Sequence, residues 1–163
     1  MSGASSGPAR REETPARARA AANAPGAEPA GIVLFDGVCG FCDAAVRWLL
    51  RCDPEGRLRF APLQGRTAAA LRARHAEIPE SLETLVYVES SGGRELVHLR
   101  SAAVFRACAA VSGAPRWVSL AARLPRALTD LAYRGIARVR YRVFGRLDAC
   151  RVPRPGERER LLE

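Results

Sequence analysis

The first sustained apolar run in the chain is Ile32-Val33-Leu34-Phe35, which Asp36-Gly37 ends. A continuous run with a β-branched pair predicts a strand buried on both faces. From Cys42 the period changes. Cys42, Ala45, Val46, Leu49 and Leu50 share one helical face as far as Cys52, while Asp43, Arg47 and Arg51 share the other. Asp43 precedes Arg47 by four residues, the favoured order for a supporting pair. Pro54 and Gly56 stop this helix. Leu58 to Leu63 reads as a second strand, so strand, helix and strand form a right-handed βαβ unit with parallel strands. Thr67 to His75 predicts a second helix with Thr67 as its N-cap. Thr84 to Glu89 predicts a third strand, Ser90-Ser91-Gly92-Gly93 a turn, and Glu95 to Leu99 a returning fourth strand, hence an antiparallel hairpin. Ser101 is the expected cap of a third helix running to about Val111.

The order β-α-β-α-β-β-α joins a parallel βαβ unit to a ββα hairpin unit. It defines an α/β, thioredoxin-like core without any use of the cysteines. An Arg-rich C-terminal helical extension follows. Trp117 to Arg123 predicts a short helix, and Pro125 suits the first turn of a longer one. There Leu128, Leu131, Ala132, Gly135, Ile136, Val139 and Val143 make one apolar stripe, expected to pack on the core, and Gly145 ends the helix. Arg134, Arg138 and Arg142 lie four apart and flank the stripe. They are expected to be a solvated edge, with Arg138 and Arg142 as anion or substrate contacts near the thiols the alternative.

Residues 1–30 are Ala, Pro, Gly, Arg and Ser without apolar periodicity and are expected to be a disordered tail. The chain thus divides into a tail over 1–30, a core over 31–112 and a helical extension over 113–163 packed on the core. No apolar run is long enough to span a membrane or resembles a secretory leader, which points to the cytoplasm. The net charge of +9 comes from 26 basic residues, all of them Arg. Scattered arginines read first as a solvated surface and secondly as a surface for an acidic partner. Aromatic residues are few and do not interleave with Arg, which argues against a nucleic-acid reader.

The five cysteines are Cys39, Cys42, Cys52, Cys108 and Cys150. An odd count without a leader argues against a secreted disulfide scaffold, so a CxxC pair here points to catalysis or metal binding. Structural zinc needs four ligands, usually as two such pairs, and the chain has one. Thiol–disulfide exchange needs an attacking thiolate and a second thiol that resolves the mixed disulfide. In Cys39-Gly40-Phe41-Cys42 the first thiol stands at a helix N-terminus, whose unpaired N–H groups and partial positive charge favour a thiolate. The second lies one turn in, on the apolar face. Cys39 is therefore the expected nucleophile and Cys42 the resolving thiol. Asp43 opposes the helix effect on Cys39. Asp36-Gly37 aims Cys39 at the edge where the parallel strands end. Asp36 is expected to hold that loop by hydrogen bonds, with proton acceptance from Cys42 as the alternative. No cofactor is expected beyond the dithiol/disulfide pair.

The stretch Leu34-Phe35-Asp36-Gly37-Val38-Cys39-Gly40-Phe41-Cys42 resembles the opening signature of the DCC family. The likeness continues in Arg57-Leu58-Arg59-Phe60-Ala61-Pro62-Leu63-Gln64, in Arg100-Ser101-Ala102-Ala103, and in Arg140 to Arg146 with Asp148 and Cys150 following. It covers about residues 31–160. The resemblance implies a thioredoxin-like thiol–disulfide oxidoreductase of the protein-disulfide reductase type, named for one Asp and two Cys, here Asp36, Cys39 and Cys42. Its partners would be a disulfide-containing substrate and a cellular thiol donor. Ordinary thioredoxins carry a cis-proline before the third strand, facing the thiols. Here Glu83-Thr84-Leu85 stands in that place and Pro79 is too far upstream, so substrate docking departs from the thioredoxin kind and Thr84 is expected to line the site instead.

Cys52 and Cys108 read as inert core. Cys150 reads as an ordinary buried Cys, with a third thiol that reaches the site as the alternative. A rival function is a thioredoxin-fold binding module that uses the basic helix edge to hold an acidic partner. It would survive Cys39→Ser, whereas an oxidoreductase would not.

Overall fold

A computed structural model describes residues 29–82, 84–147 and 157–163. In chain order the elements are β1 (Gly31–Phe35), α1 (Gly40–Cys52), β2 (Leu58–Pro62), α2 (Arg66–Arg74), β3 (Val86–Ser91), β4 (Arg94–Leu99), α3 (Arg100–Ala109), α4 (Arg116–Ala121) and α5 (Arg126–Phe144). The sheet order is β2-β1-β3-β4. β1 pairs parallel with β2 and antiparallel with β3, and β3 pairs antiparallel with β4. This is a thioredoxin-like α/β core with C-terminal helices. The turn between β3 and β4 places both Gly92 and Gly93 at positive φ, which suits a tight two-residue hairpin.

Both faces of β1 are buried, as its unbroken apolar run requires. Val33 and Phe35 join Leu58, Phe60 and Tyr87 beneath Val46 and Leu49 of α1 and Ala103 and Ala107 of α3. Leu34 faces the other way, with Ala61, Val86 and Val88 against Ala68 and Leu71 of α2. The free edge of β2 is covered by the C-terminus: the Phe60 N–H donates to Arg160 O (2.8 Å) and the Leu162 N–H to Phe60 O (2.7 Å). Pairing an edge in this way removes a template for aggregation.

Three local expectations are corrected. α2 begins at Arg66 with Gly65 as N-cap, and no side chain caps it. The Thr67 hydroxyl and N–H both donate to the Glu163 backbone carbonyl instead, at 2.6 and 2.7 Å. α3 begins at Arg100 with Leu99 as N-cap. Ser101 lies buried in its first turn, and its hydroxyl meets Thr129 and Asp130 of α5. The third correction concerns α5 itself. Its apolar stripe does not face the core: Leu128, Leu131, Ile136, Val139 and Val143 are exposed. The helix packs through an adjoining, more polar side, with Tyr133, Arg140 and Tyr141 turned inward, while Leu128, Ala132 and Ile136 of the stripe line a cleft beside them. Ser101, the thiol loop and the segment before β3 all offer polar partners to that side. The Arg126–Phe144 helix ends at Gly145, whose φ of 72° an L side chain rarely adopts.

Candidate active site

β1 delivers the chain to Asp36, and the Asp36-Gly37-Val38 turn reverses it into α1. The Asp36 carboxylate is buried and is the hub of this turn. Its Oδ1 accepts from the Val38 N–H (3.2 Å) and from Gln64 Nε2 (2.9 Å), while Gln64 Oε1 accepts from the Gly37 N–H (3.2 Å). Its Oδ2 accepts from the Tyr141 hydroxyl and lies 3.7 Å from Arg140 Nη2. A buried carboxylate held by several donors and a cation fixes the loop in one conformation.

Cys39 is the N-cap of α1, and its sulfur accepts from the Cys42 N–H at 3.4 Å. The sulfur thus takes the place of a capping oxygen at the positive end of a thirteen-residue helix. Cys42 lies one turn on. Burial pushes its thiol up to about 12, and the hydrogen bond to Cys39 adds to this. Arg140 opposes the shift, with Nη1 donating toward the Cys42 sulfur at 3.9 Å. Cys42 therefore keeps its proton at neutral pH.

The two sulfurs differ in what covers them. Cys39 is fully buried, at 0% exposure. The segment after α5 lies across it: the Leu147 N–H donates to Val38 O (2.8 Å), the Gly40 N–H to Gly145 O (3.4 Å), and Cys39 forms a β-bridge with Arg146. Gly40 is required beneath this strap, since a Cβ there would meet Phe144 O at 2.5 Å. Phe41 stacks obliquely on Phe144, with ring centroids 5.1 Å apart. Cys42 instead lines an apolar cleft of about 460 Å³ between α1, α3, α4 and α5, walled by Phe41, Phe105, Trp117, Tyr133 and Ile136, with Arg140 also lining it.

Arg138 and Arg142, singled out in the sequence, are exposed, while Arg140 between them is buried and reaches the Cys42 sulfur. Arg140 also donates to Leu82 O (2.9 Å) and to the Tyr141 hydroxyl (3.1 Å). Sequence inspection missed Gln64, Tyr133, Arg140 and Tyr141. For Arg140 and Tyr141 the available signal was their place in the family-like stretch Arg140 to Arg146. Thr84 is half-buried, and the contacts of its segment run through Leu82 to Arg140 and through the Leu85 N–H, which donates to the Tyr133 hydroxyl (2.7 Å). Cys150, Glu83 and Asp148 lie outside the described residues. Cys52 and Cys108 are buried free thiols, and burial raises both, Cys108 to about 11. No helix among the described residues is long and apolar enough to cross a membrane.

A mixed four-stranded sheet with a CxxC pair capping the helix after its first strand defines a thioredoxin-like dithiol protein. The family model of the DCC1-like thiol-disulfide oxidoreductases matches residues 33–146, and the chain belongs to that family. It is 30% identical over 134 residues to the uncharacterized protein YuxK of Bacillus subtilis, covering 82% of this chain and 95% of that one. It is 29% identical over 120 residues to the chloroplastic DCC family protein At1g52590 of Arabidopsis thaliana, covering 73% and 67%. No solved structure matches it.

Proposed function

We propose that the chain is a thiol–disulfide oxidoreductase of the protein-disulfide reductase type, with Cys39 attacking and Cys42 resolving. The observation that carries this is the placement of the pair: the Cys39 sulfur caps α1 at the positive end of the helix, and Cys42 stands one turn on, its N–H donating to that sulfur. The Cys39 thiolate attacks one sulfur of a substrate disulfide, and the other sulfur leaves as a thiolate and takes up a proton. Cys42 then loses its proton and attacks the Cys39 sulfur of the mixed disulfide. The substrate departs with both sulfurs reduced, and the enzyme holds a Cys39–Cys42 disulfide that a cellular thiol donor reduces. The strap over Cys39 must lift for the first step; among the described residues, two backbone hydrogen bonds tie it to the thiol loop, and segments held this lightly open readily.

Asp36 serves this chemistry as a positioning residue. Its carboxylate fixes the turn that carries Cys39 and neutralises Arg140 beside Cys42. The reading is tested by dithiothreitol-driven reduction of insulin. Wild-type protein and the Cys52→Ser and Cys108→Ser variants should accelerate precipitation of the reduced chains, and Cys39→Ser should not. Equal acceleration by Cys39→Ser would contradict it.

A further inference from the structure

The packing of α4 and α5 leaves several large apolar side chains exposed. Trp117 and Leu120 on α4 are 66% and 65% exposed, and Leu131 and Val143 on α5 are 62% and 68% exposed. With Leu124, Leu128 and Val139 they are exposed large apolar side chains of two consecutive helices and the turn between them, and Trp117, Leu124 and Leu128 are brought together around one cleft. Monomers seldom expose large apolar side chains grouped in this way without a use for them.

The charge around these side chains identifies what fits them. Residues 116–147 carry eight arginines and a single acidic residue, Asp130. Seven of the eight are exposed: Arg116, Arg123, Arg126, Arg134, Arg138, Arg142 and Arg146. Arg134, Arg138 and Arg142 recur every fourth residue and run beside the stripe of Leu131 and Val139. Arginine stems lie along apolar ground while their heads seek anions at its border. Trp and Leu on one side with Arg beside them is the pattern of a helix that lies in a membrane interface. A second copy of the chain fits poorly, because face-to-face association would bring two sets of exposed arginines together.

We propose that the α4–α5 face docks on an anionic lipid bilayer, with Trp117, Leu120, Leu131 and Val143 entering the interface and the flanking arginines meeting lipid phosphates. The mouth of the cleft that leads to Cys42 shares Trp117, Leu124 and Leu128 with this face, so docking would bring the dithiol to the membrane surface.

Full-length protein is mixed with vesicles of phosphatidylcholine alone or of phosphatidylcholine with phosphatidylglycerol and sedimented. Binding is expected to the anionic vesicles, at least tenfold weaker to the neutral ones, with a blue shift of tryptophan emission that Trp117→Phe removes. Leu120→Glu and Leu131→Glu should each abolish binding while the circular dichroism spectrum stays unchanged. Cys39→Ser should bind as wild type, which separates this surface from the thiol chemistry. Absence of vesicle binding would overturn the proposal, as would undiminished binding by Leu131→Glu. So would a lipid-free dimer that shields Trp117, or salt-sensitive binding to duplex DNA in place of vesicles.

Discussion

The guanidinium of Arg140 stands 3.9 Å from the Cys42 sulfur and 3.7 Å from the Asp36 carboxylate, bridging Cys42 and the turn that carries Cys39. Burial disfavours the Arg140 charge, but Cys42 and Tyr141 raise its affinity for the proton, so it stays a cation. Replacing it with Met removes that cation and leaves Asp36 a buried carboxylate without a counter-charge. Breaking such a pair from one side costs on the order of 3 kcal/mol or more. Arg140→Met should therefore lower the denaturation midpoint markedly. It should also slow closure of the Cys39–Cys42 disulfide from a trapped mixed disulfide, because the Cys42 thiolate loses its neighbouring cation. Arg140→Lys should recover part of the closure rate. Wild-type closure in Arg140→Met would show that the guanidinium acts on the loop alone.

The strap over Cys39 should respond to loss of one hydrogen bond. Leu147→Pro removes the N–H that donates to Val38 O. A net hydrogen bond is worth about 1 kcal/mol, which corresponds to a roughly fivefold change in the open population. Alkylation of Cys39 by iodoacetamide should accelerate by about that factor, with little change in the midpoint of global unfolding. An unchanged alkylation rate would mean that the strap does not limit access.

Gly40 gives a second handle on the same contact. Gly40→Ala places a methyl group against the Phe144 carbonyl, a backbone atom that cannot move without shifting the end of α5. Overpacking of this kind typically costs about 1–3 kcal/mol. The variant should be less stable than wild type by an amount in that range in urea titration, and its Cys39 should be more reactive toward alkylation.

The reduced protein should lose stability in alkali. An unfolded Cys ionises near its ordinary value of 9.0, whereas burial keeps the proton on folded Cys42 up to about 12 and on Cys108 up to about 11. Above about 9 the unfolded chain releases protons that the folded chain still holds, so rising pH favours unfolding. The contribution is whole below pH 9 and is lost as pH climbs through 11 and 12. Urea midpoints of reduced protein measured across that window should fall, and Cys108→Ala should flatten the decline. A Cys108→Ala profile that matches wild type would contradict the assignment for Cys108.

The sheet and the thiol loop were legible because their signals are local. Ile32 to Phe35 is a continuous apolar run, the Cys42-to-Leu50 face repeats at helical spacing, and Gly92-Gly93 is a hairpin turn. The family resemblance of Leu34 to Cys42 adds the chemistry. The caps misled because Thr67 and Ser101 have the right side chains for capping but spend them on distant partners, Glu163 and α5. α5 misled for a related reason. Periodicity reports which residues share a face and not which face meets the core, and here Tyr133, Arg140 and Tyr141 have buried polar partners up to about a hundred residues away in sequence. Such pairings leave no trace in local pattern.

The most direct measurement is a redox titration of the full chain against glutathione, with mass-spectrometric mapping of the disulfides at each point. The account predicts a single reversible couple that joins Cys39 to Cys42, with Cys52 and Cys108 remaining as thiols throughout. A chain in which Cys39 and Cys42 never pair, or in which either pairs by preference with Cys52 or Cys108, would contradict it.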